Sequence, residues 1–331
     1  MASGEQVKAL LKSYSEGDEP RFFAVAMQVA ADEARKGHGK LAQDIRELID
    51  EAKAKGSVRK TPSAPIPVVQ PRGELAGLLT VGYPKLRLPD MILDESTMGK
   101  LNRVLLEQRQ AGRLREHGLR PRRRLLLIGP PGTGKTMTAA ALAGELQMPL
   151  FTILLDGLLT KYMGETAAKL RLIFDTIEKT KGVYLFDEFD AIGGKRTAQN
   201  DVGEIRRVLN SFLQFIEQEE SEGLIVAATN HMELLDPALF RRFDDVIVYQ
   251  LPGEENAKDL IEDRLGMLDI KGMKWFEILT LTKGLSYSEL MRACEDAAKE
   301  VVLTNKKKIT TAQLSKCLKE RRHAESTSES A

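Results

Sequence analysis

Cysteine is scarce in this chain, which has only Cys294 and Cys317 among its 331 residues. Neither belongs to a Cys-x-x-Cys pair or to a Cys/His cluster, so the sequence predicts no disulfide framework and no zinc cluster. Two isolated cysteines are typical of proteins from a reducing compartment, and we therefore expect a cytoplasmic protein.

Long apolar runs are also missing, since none approaches the roughly 20 residues that a membrane-spanning helix needs. The first residues, "MASGEQVKALLKSY", contain no basic stretch followed by an apolar one, and we expect no secretion signal. Neither sign of charge dominates, because 49 basic residues face 48 acidic ones and the net charge is +1. The chain as a whole therefore has no general electrostatic attraction to nucleic acid.

The N-terminal part predicts a small helical domain followed by a linker. Residues 1–55 carry apolar side chains at helical spacing, and we expect them to form a helical recruitment domain. Residues 56–84 include the proline-rich stretch "GSVRKTPSAPIPVVQPR", which breaks every periodic pattern. We expect this segment to be a linker and a lead-in to the next domain.

The remainder predicts an α/β fold followed by helices alone. Within residues 85–252, helical patterns alternate with five short apolar runs: "RLLLIG" (124–129), "LFTILL" (150–155), "VYLFD" (183–187), "GLIVAAT" (223–229) and "DVIVY" (245–249). This alternation predicts a parallel sheet that helices cover on both faces. Residues 253–322 are expected to form a helical domain, and the polar tail 323–331 is expected to be disordered.

The segment "GPPGTGKT" (129–136) matches a phosphate-binding loop placed between a strand and a helix. Its glycines allow backbone N–H groups to turn toward phosphate oxygens at the start of the helix. Lys135 is expected to reach the phosphates of ATP, and Thr136 to ligate Mg²⁺. The predicted nucleotide-binding residues here are Gly129, Pro130, Pro131, Gly132, Thr133, Gly134, Lys135, Thr136 and Met137.

The run "VYLFDE" places two carboxylates directly after an apolar strand. We expect Asp187 to contribute to the nucleotide site and to hold Mg²⁺ through its water shell, and Glu188 to polarise the attacking water. A phosphate-binding loop alone only binds nucleotide, whereas the added carboxylate indicates hydrolysis, in which positioning and charge stabilisation dominate.

Four motifs in this order resemble the AAA ATPases proper, a clade of the AAA+ superfamily: "GPPGTGKT", "YLFDEFDAI", "AATNHMELLDPALFRRFD" and "GLSYSEL". The resemblance implies an ATP-hydrolysing homo-oligomeric ring, a hexamer, that threads, unfolds or disassembles protein substrates through a central pore. A helical N-terminal domain, a linker and one ATPase module are also similar to the spastin, katanin and ESCRT-disassembling type.

The same resemblance implies roles for polar residues beyond the two phosphate motifs. Asn230 corresponds to a sensor that orients the attacking water together with Glu188. Arg241 and Arg242 are expected to act on the neighbouring subunit's nucleotide, where such arginines raise the rate by about 10³–10⁵. The alternative for the two arginines is a surface ion pair.

The lid motif departs from the family pattern. Gly284 is expected to approach the nucleotide, as in the family's "G-x-S-G" turn. Tyr287 stands where that turn has its second glycine. Stacking of Tyr287 on the base and packing of Tyr287 within the lid both remain open.

A pore loop is the interpretation of "KYMG" (161–164), which lies between the second and third apolar runs. In the family, an aromatic–hydrophobic–glycine triplet at this place points into the central channel. Tyr162 and Met163 offer broad apolar contact to any polypeptide, Gly164 lets the loop bend, and Lys161 is positioned to contact substrate oxygens. The alternative is that Tyr162 packs as an ordinary residue at a helix start.

The partners expected from these patterns are identical subunits and a polypeptide substrate or adaptor recruited by the N-terminal domain. Two other functions stay open: an unfoldase that feeds a separate protease, and a nucleotide-dependent switch on nucleic acid. The basic stretch "RQAGRLREHGLRPRRR" (109–124) is interpreted as a solvated surface rather than a nucleic-acid site, because aromatic residues are not interleaved with it.

Overall fold

The structure, a computed structural model, describes residues 73–158, 165–190, 202–305 and 307–328, together with scattered positions between residues 25 and 49. Contacts divide the chain into two units, Met1–Pro67 and Val68–Ala331. Every described position of the first unit is helical. The predicted pore segment, Lys161 to Gly164, lies outside the described residues.

The described part of the second unit contains a six-stranded sheet with the order β1-β3-β4-β5-β2-β6. β1 pairs antiparallel with β3, and all other neighbours are parallel. The prediction of a largely parallel α/β sheet is thereby confirmed, because each of the five apolar runs contains one strand. The strands are β1 Leu79–Gly82, β2 Arg124–Ile128, β3 Leu150–Ile153, β4 Val183–Phe186, β5 Leu224–Thr229 and β6 Asp245–Val248.

The strand β1 lies within residues 56–84, the segment that the sequence predicts as a linker and a lead-in to the next domain. It has four residues, "LTVG", and its first residue, Leu79, is buried while the others are half-buried or exposed. Leu79 lies opposite Ile153 at the edge of the sheet. A strand this short, with one buried residue, leaves no periodic apolar signal in the sequence, and its partner on β3 is what defines it.

Helices cover the sheet on both faces. Along β2, Leu125 and Leu127 belong to one apolar core, whereas Leu126 and Ile128 belong to another, as expected when successive side chains alternate between faces. The helices of this part are α1 Glu95–Arg109, α2 Ala111–Glu116, α3 Lys135–Leu146, α4 Leu155–Leu158, α5 Glu165–Lys179, α6 Val202–Gln218 and α7 Pro237–Phe240.

Among the described residues, four α-helices after the sheet build a lid with an apolar core of its own, which includes both cysteines. They are α8 Glu254–Leu265, α9 Trp275–Thr282, α10 Tyr287–Leu303 and α11 Thr311–Ser328. The last of them corrects the prediction of a disordered tail over residues 323–331, because the backbone is helical as far as Ser328. The polar sequence contains no glycine or proline that would end the helix earlier. Among the described residues, no helix has the length and apolar character to cross a membrane.

Candidate nucleotide site

The predicted phosphate-binding loop joins β2 to α3 at the carboxyl edge of the sheet, where ligands of open α/β sheets bind. Gly134 has a φ of 98° and directly precedes Lys135, the first residue of α3. At Gly129, a Cβ atom would lie 2.5 Å from the carbonyl oxygen of Tyr249. The sharp path of the loop therefore depends on glycine at this position.

Lys135 lies along the loop and is 6% exposed. Its Nζ donates hydrogen bonds of 2.7 Å to the carbonyl oxygens of Gly129 and Pro130. Burial lowers the pKa of Lys135 to about 8, and the carboxylates of Asp187 and Asp190 partly oppose this shift. An anionic group beside the ammonium would favour its charged form, as expected for a lysine that binds phosphate.

The two predicted metal ligands are brought together. The Oγ1 of Thr136 donates to Oδ2 of Asp187 over 2.7 Å. The other carboxylate oxygen, Oδ1, accepts the backbone N–H of Glu188 at 3.0 Å. A hydroxyl and a carboxylate are the hard oxygen donors that Mg²⁺ prefers, so this pair fits the predicted metal site.

Glu188 has an exposed side chain and a backbone φ of 49°, in the left-handed region. Such a conformation costs a non-glycine residue about 1–3 kcal/mol and persists only where neighbouring contacts hold it. One such contact is the hydrogen bond from the N–H of buried Phe189 to the carbonyl oxygen of Ala228, at 2.8 Å. The turn that carries Asp187 and Glu188 is thus held against β5.

Asn230 directly follows Thr229, the last residue of β5, and is partly buried. Because β4 and β5 are parallel neighbours, Asn230 and the acidic turn lie at the same edge of the sheet. One contact was missed by the sequence analysis: Thr229 Oγ1 donates to Oδ1 of Asp190 over 2.9 Å. The sequence offered one signal for Asp190, namely that it is the third acidic residue of the segment "DEFD" (187–190).

The structure distinguishes the two predicted arginine fingers. Arg241 directly follows Phe240, the last residue of α7, and is exposed, and among the described residues its side chain has no ion-pair partner. Arg242 is half-buried and forms an ion pair with Glu217 on α6. Arg241 is therefore the more exposed of the two arginines, and the one without an ion pair among the described residues.

The lid contacts the phosphate-binding loop through Ser288. Its backbone N–H, in the first turn of α10, donates to the carbonyl oxygen of Gly132 over 3.1 Å. Gly284, which the sequence analysis expected near the nucleotide, has a φ of 90° and lies at the turn before α10, where no atom lies within 4 Å of an added Cβ. Ser288, and not Gly284, makes the contact with the phosphate-binding loop that the structure describes. The sequence did not point to Ser288, because a serine at this place belongs to no distinctive motif.

Tyr287 packs within the lid and is 9% exposed. Its hydroxyl accepts a hydrogen bond from Nδ2 of Asn256 at 3.2 Å. The ring also lines a small cavity between the lid and the phosphate-binding loop, together with Thr133, Gly134 and Met137. The structure therefore supports packing as the main role of Tyr287. The residue also borders the cavity next to the phosphate-binding loop.

Gly132→Ala should weaken both ATP binding and the docking of the lid. Gly132 has a φ of 73°, and a Cβ there would lie 2.3 Å from Oγ of Ser288. We expect the ATP dissociation constant to rise about tenfold or more, because the loop or the lid has to move. Isothermal titration with a slowly hydrolysed ATP analogue measures this.

Gly118→Ala is the matched control for this variant. Gly118 has a φ of 70°, but no atom lies within 4 Å of an added Cβ. Both variants therefore place alanine in the left-handed region, at a similar backbone cost of about 1 kcal/mol. Equal loss of ATP affinity in the two would show that the contact with Ser288 is unimportant.

Most arginines of the basic stretch 109–124 are paired within the chain. Five of its seven arginines form ion pairs with acidic residues of this same chain: Arg109 with Glu145, Arg115 with Glu222, Arg120 with Glu220, Arg122 with Glu107, and Arg123 with Glu219. The Arg123 pair is largely buried, with 10% and 1% of the two side chains exposed. This pairing favours the interpretation of the segment as a structural surface over that of a nucleic-acid site.

The comparison with known families gives a match over the nucleotide-binding part. Residues 125–251 match the family described as "ATPase family associated with various cellular activities (AAA)". The matched region begins in β2 and ends after β6, so it contains the phosphate-binding loop, the acidic turn, Asn230 and both arginines.

Similar proteins include an AAA family ATPase, y4kL, of Sinorhizobium fredii, which is 32% identical over 320 residues, covering 97% of this chain and 96% of that protein. Proteasome-activating nucleotidases of Sulfurisphaera tokodaii and Methanothermobacter thermautotrophicus are 32% and 34% identical. The matches span 60% and 50% of these two nucleotidases, respectively. Since the first similarity extends over nearly the whole of both proteins, this chain belongs to the AAA family of ATPases and is an ATP-hydrolysing enzyme.

Proposed function

We propose that this ATPase works as a homo-oligomeric ring, a hexamer, that uses ATP hydrolysis to pull on protein substrates. The observation that supports this most directly is Arg241. Its side chain is exposed directly after α7 and has no ion-pair partner among the described residues. A cation of this kind completes a phosphoryl-transfer site when a neighbouring subunit supplies it.

Within one subunit, the chain's residues divide the work of hydrolysis. Backbone N–H groups of the loop and Lys135 bind the phosphates, and the N-terminus of α3 adds its dipole. Thr136 and Asp187 would hold Mg²⁺, which neutralises phosphate charge when bound. Glu188 polarises the attacking water, and Asn230 orients it.

The substrate is proposed to be polypeptide gripped by Tyr162 and Met163 in the central channel, with Lys161 and Gly164 beside them. This part rests on the sequence, since these residues lie outside the described ones. The names of the proteasome-activating nucleotidases give it further support, because they link similar chains to protein degradation. An unfoldase that delivers substrate to a separate protease is therefore the second candidate function.

Tyr162→Ala should abolish the unfolding of a tagged reporter protein and any stimulation of the ATPase by substrate. Basal ATP turnover should change only about two- to threefold, since Tyr162 is remote in sequence from the phosphate motifs. Tyr162→Phe should behave as the original protein, because the ring supplies the contact area. Reporter fluorescence and phosphate release measure the two activities.

The packing alternative makes a different prediction for Tyr162→Ala. If Tyr162 belongs to an apolar core, the variant should lose about 3–5 kcal/mol of stability and lose ATPase and unfolding together. A melting curve separates this outcome from a gripping role. Undiminished unfolding in a normally folded variant would refute the gripping role.

Nucleic acid is the remaining candidate partner, and substrate stimulation tests it. Casein should raise the ATPase rate, whereas single-stranded DNA should not, because five of the seven arginines of the basic stretch already have carboxylate partners. Stimulation by DNA alone would favour the nucleotide-dependent switch.

The helical N-terminal unit is proposed to recruit the polypeptide or its adaptor.

A further inference from the structure

A single hydroxyl links the acidic turn to the turn that carries Asn230. Thr229 is 1% exposed. Its Oγ1 donates to Oδ1 of Asp190 at 2.9 Å and accepts the backbone N–H of His231 at 3.1 Å. The Thr229 hydroxyl thus joins two groups: the backbone of His231, which directly follows Asn230, and the carboxylate of Asp190, which follows the neighbouring strand β4.

The carboxylate of Asp190 belongs to the same short segment as Asp187 and Glu188. This segment is fixed by two hydrogen bonds to β5: the backbone bond from Phe189 to Ala228 and the side-chain bond from Thr229 to Asp190. The hydroxyl that makes the second bond also accepts the backbone N–H of His231, in the turn with Asn230. The bond to Asp190 is also charge-assisted, which makes it stronger than a bond between neutral groups.

We propose that Asp190 and Thr229 are a positioning pair that sets the distance between Glu188 and Asn230. The proposal rests on the proposed roles of these two residues in handling the attacking water. Glu188 has a left-handed backbone and an exposed side chain, so its position depends on the contacts of its neighbours. Asn230 lies in a bend directly after β5, and the Thr229 hydroxyl holds the backbone on the other side of that bend through the N–H of His231.

The expected effect is on the chemical step rather than on nucleotide binding. A misplacement of about 1 Å between groups that handle one water molecule can cost about 10²-fold in rate. The phosphates and the base, by contrast, are proposed to be bound by the loop, by α3 and by the lid. The loop contacts Thr229 through the backbone N–H of Gly129, which donates to the carbonyl oxygen of Thr229 at 3.3 Å, and a change of the Thr229 side chain leaves this bond in place. Loss of the pair should therefore lower kcat and leave the affinity for ATP nearly unchanged.

Thr229→Val tests this, because valine has the shape of threonine and lacks the hydroxyl. We expect kcat to fall about 10- to 100-fold and the dissociation constant for ATP to stay within about twofold. Thr229→Ser is the matched control, since it keeps the hydroxyl and should retain most of the activity. Both are measured in the full-length protein by steady-state phosphate release and by titration with a slowly hydrolysed analogue.

Asp190→Ala supplies the other half of the test. Its kcat should fall as in Thr229→Val, and the double variant should be no worse than the more impaired single variant, since both changes break one contact. Asp190→Asn keeps an oxygen that accepts the Thr229 hydroxyl and should recover much of the rate. The charge of Asp190 also acts on Lys135, so a small loss of ATP affinity is expected in every variant that changes Asp190 and not in Thr229→Val.

Several outcomes would overturn the proposal. Unchanged kcat in Thr229→Val, equal losses in Thr229→Ser and Thr229→Val, or additive losses in the double variant would each do so. A fall in ATP affinity or in melting temperature that accounts for the lost rate would assign the pair a purely structural role. Asn230→Ala separates this failure from failure of the proposed function: a normal rate there contradicts the role of Asn230 itself.

Discussion

Arg241→Ala should reduce ATP turnover by about 10³-fold or more while ATP still binds. The reason is that Arg241 has no ion-pair partner within the described part of its own chain, and its proposed target is the developing charge on the neighbouring subunit's phosphates. ATP affinity depends on the phosphate-binding loop, which the change does not touch. Phosphate release and nucleotide titration give the two quantities.

Arg242→Ala is the control for this variant. Arg242 pairs with Glu217 inside its own subunit, so its loss should affect stability or positioning and cost less in rate than the loss of Arg241. A larger effect for Arg242 would exchange the two roles.

The ring model adds a mixing experiment. Arg241→Ala protein and Lys135→Ala protein should each be inactive alone, yet regain activity when mixed, because some interfaces then combine an intact loop with an intact arginine. Specific activity of the unchanged protein should also rise with its concentration as rings assemble. Constant specific activity from a protein shown to be a monomer by sedimentation would contradict the shared site.

Glu188→Gln should lower kcat by about 10²–10⁴-fold and leave ATP binding unchanged. Glutamine preserves the shape of the side chain and its left-handed backbone, but it cannot polarise the attacking water as a carboxylate does. Lys135→Ala should behave oppositely, because it removes the buried ammonium that lies along the loop, so nucleotide affinity itself should be lost. Comparing dissociation constants with single-turnover rates separates the two defects.

Glu233→Gln provides a matched control for the loss of a carboxylate. Glu233 is exposed, lies three residues after Asn230 and pairs with His231. Turnover in this variant should stay within about twofold of normal, since no contact joins Glu233 to the phosphate-binding loop. Full activity in Glu188→Gln would remove Glu188 from its proposed role.

The main strands could be predicted because a sheet buried on both faces produces continuous apolar runs, as in "VYLF" of β4. The phosphate-binding loop and the acidic turn could be predicted because their chemistry needs particular residues at fixed spacing. β1 could not, since its four residues are defined by pairing with β3. The contacts of Ser288 and Thr229 were also missed, because serine and threonine hydroxyls are common and only the fold determines their partners.

The contact between Ser288 and Gly132 connects one end of α10 to the phosphate-binding loop. The helix has 17 residues and is therefore about 25 Å long, with its first turn bonded to the phosphate-binding loop. A tilt of about 5° at that end displaces the other end by about 2 Å, as simple geometry on this length requires. Val302 and Leu303 stand at the far end with 61% and 83% of their surface exposed. If a change in the loop tilts the lid in this way, the apolar far end of α10, about 25 Å away, moves further than the loop itself.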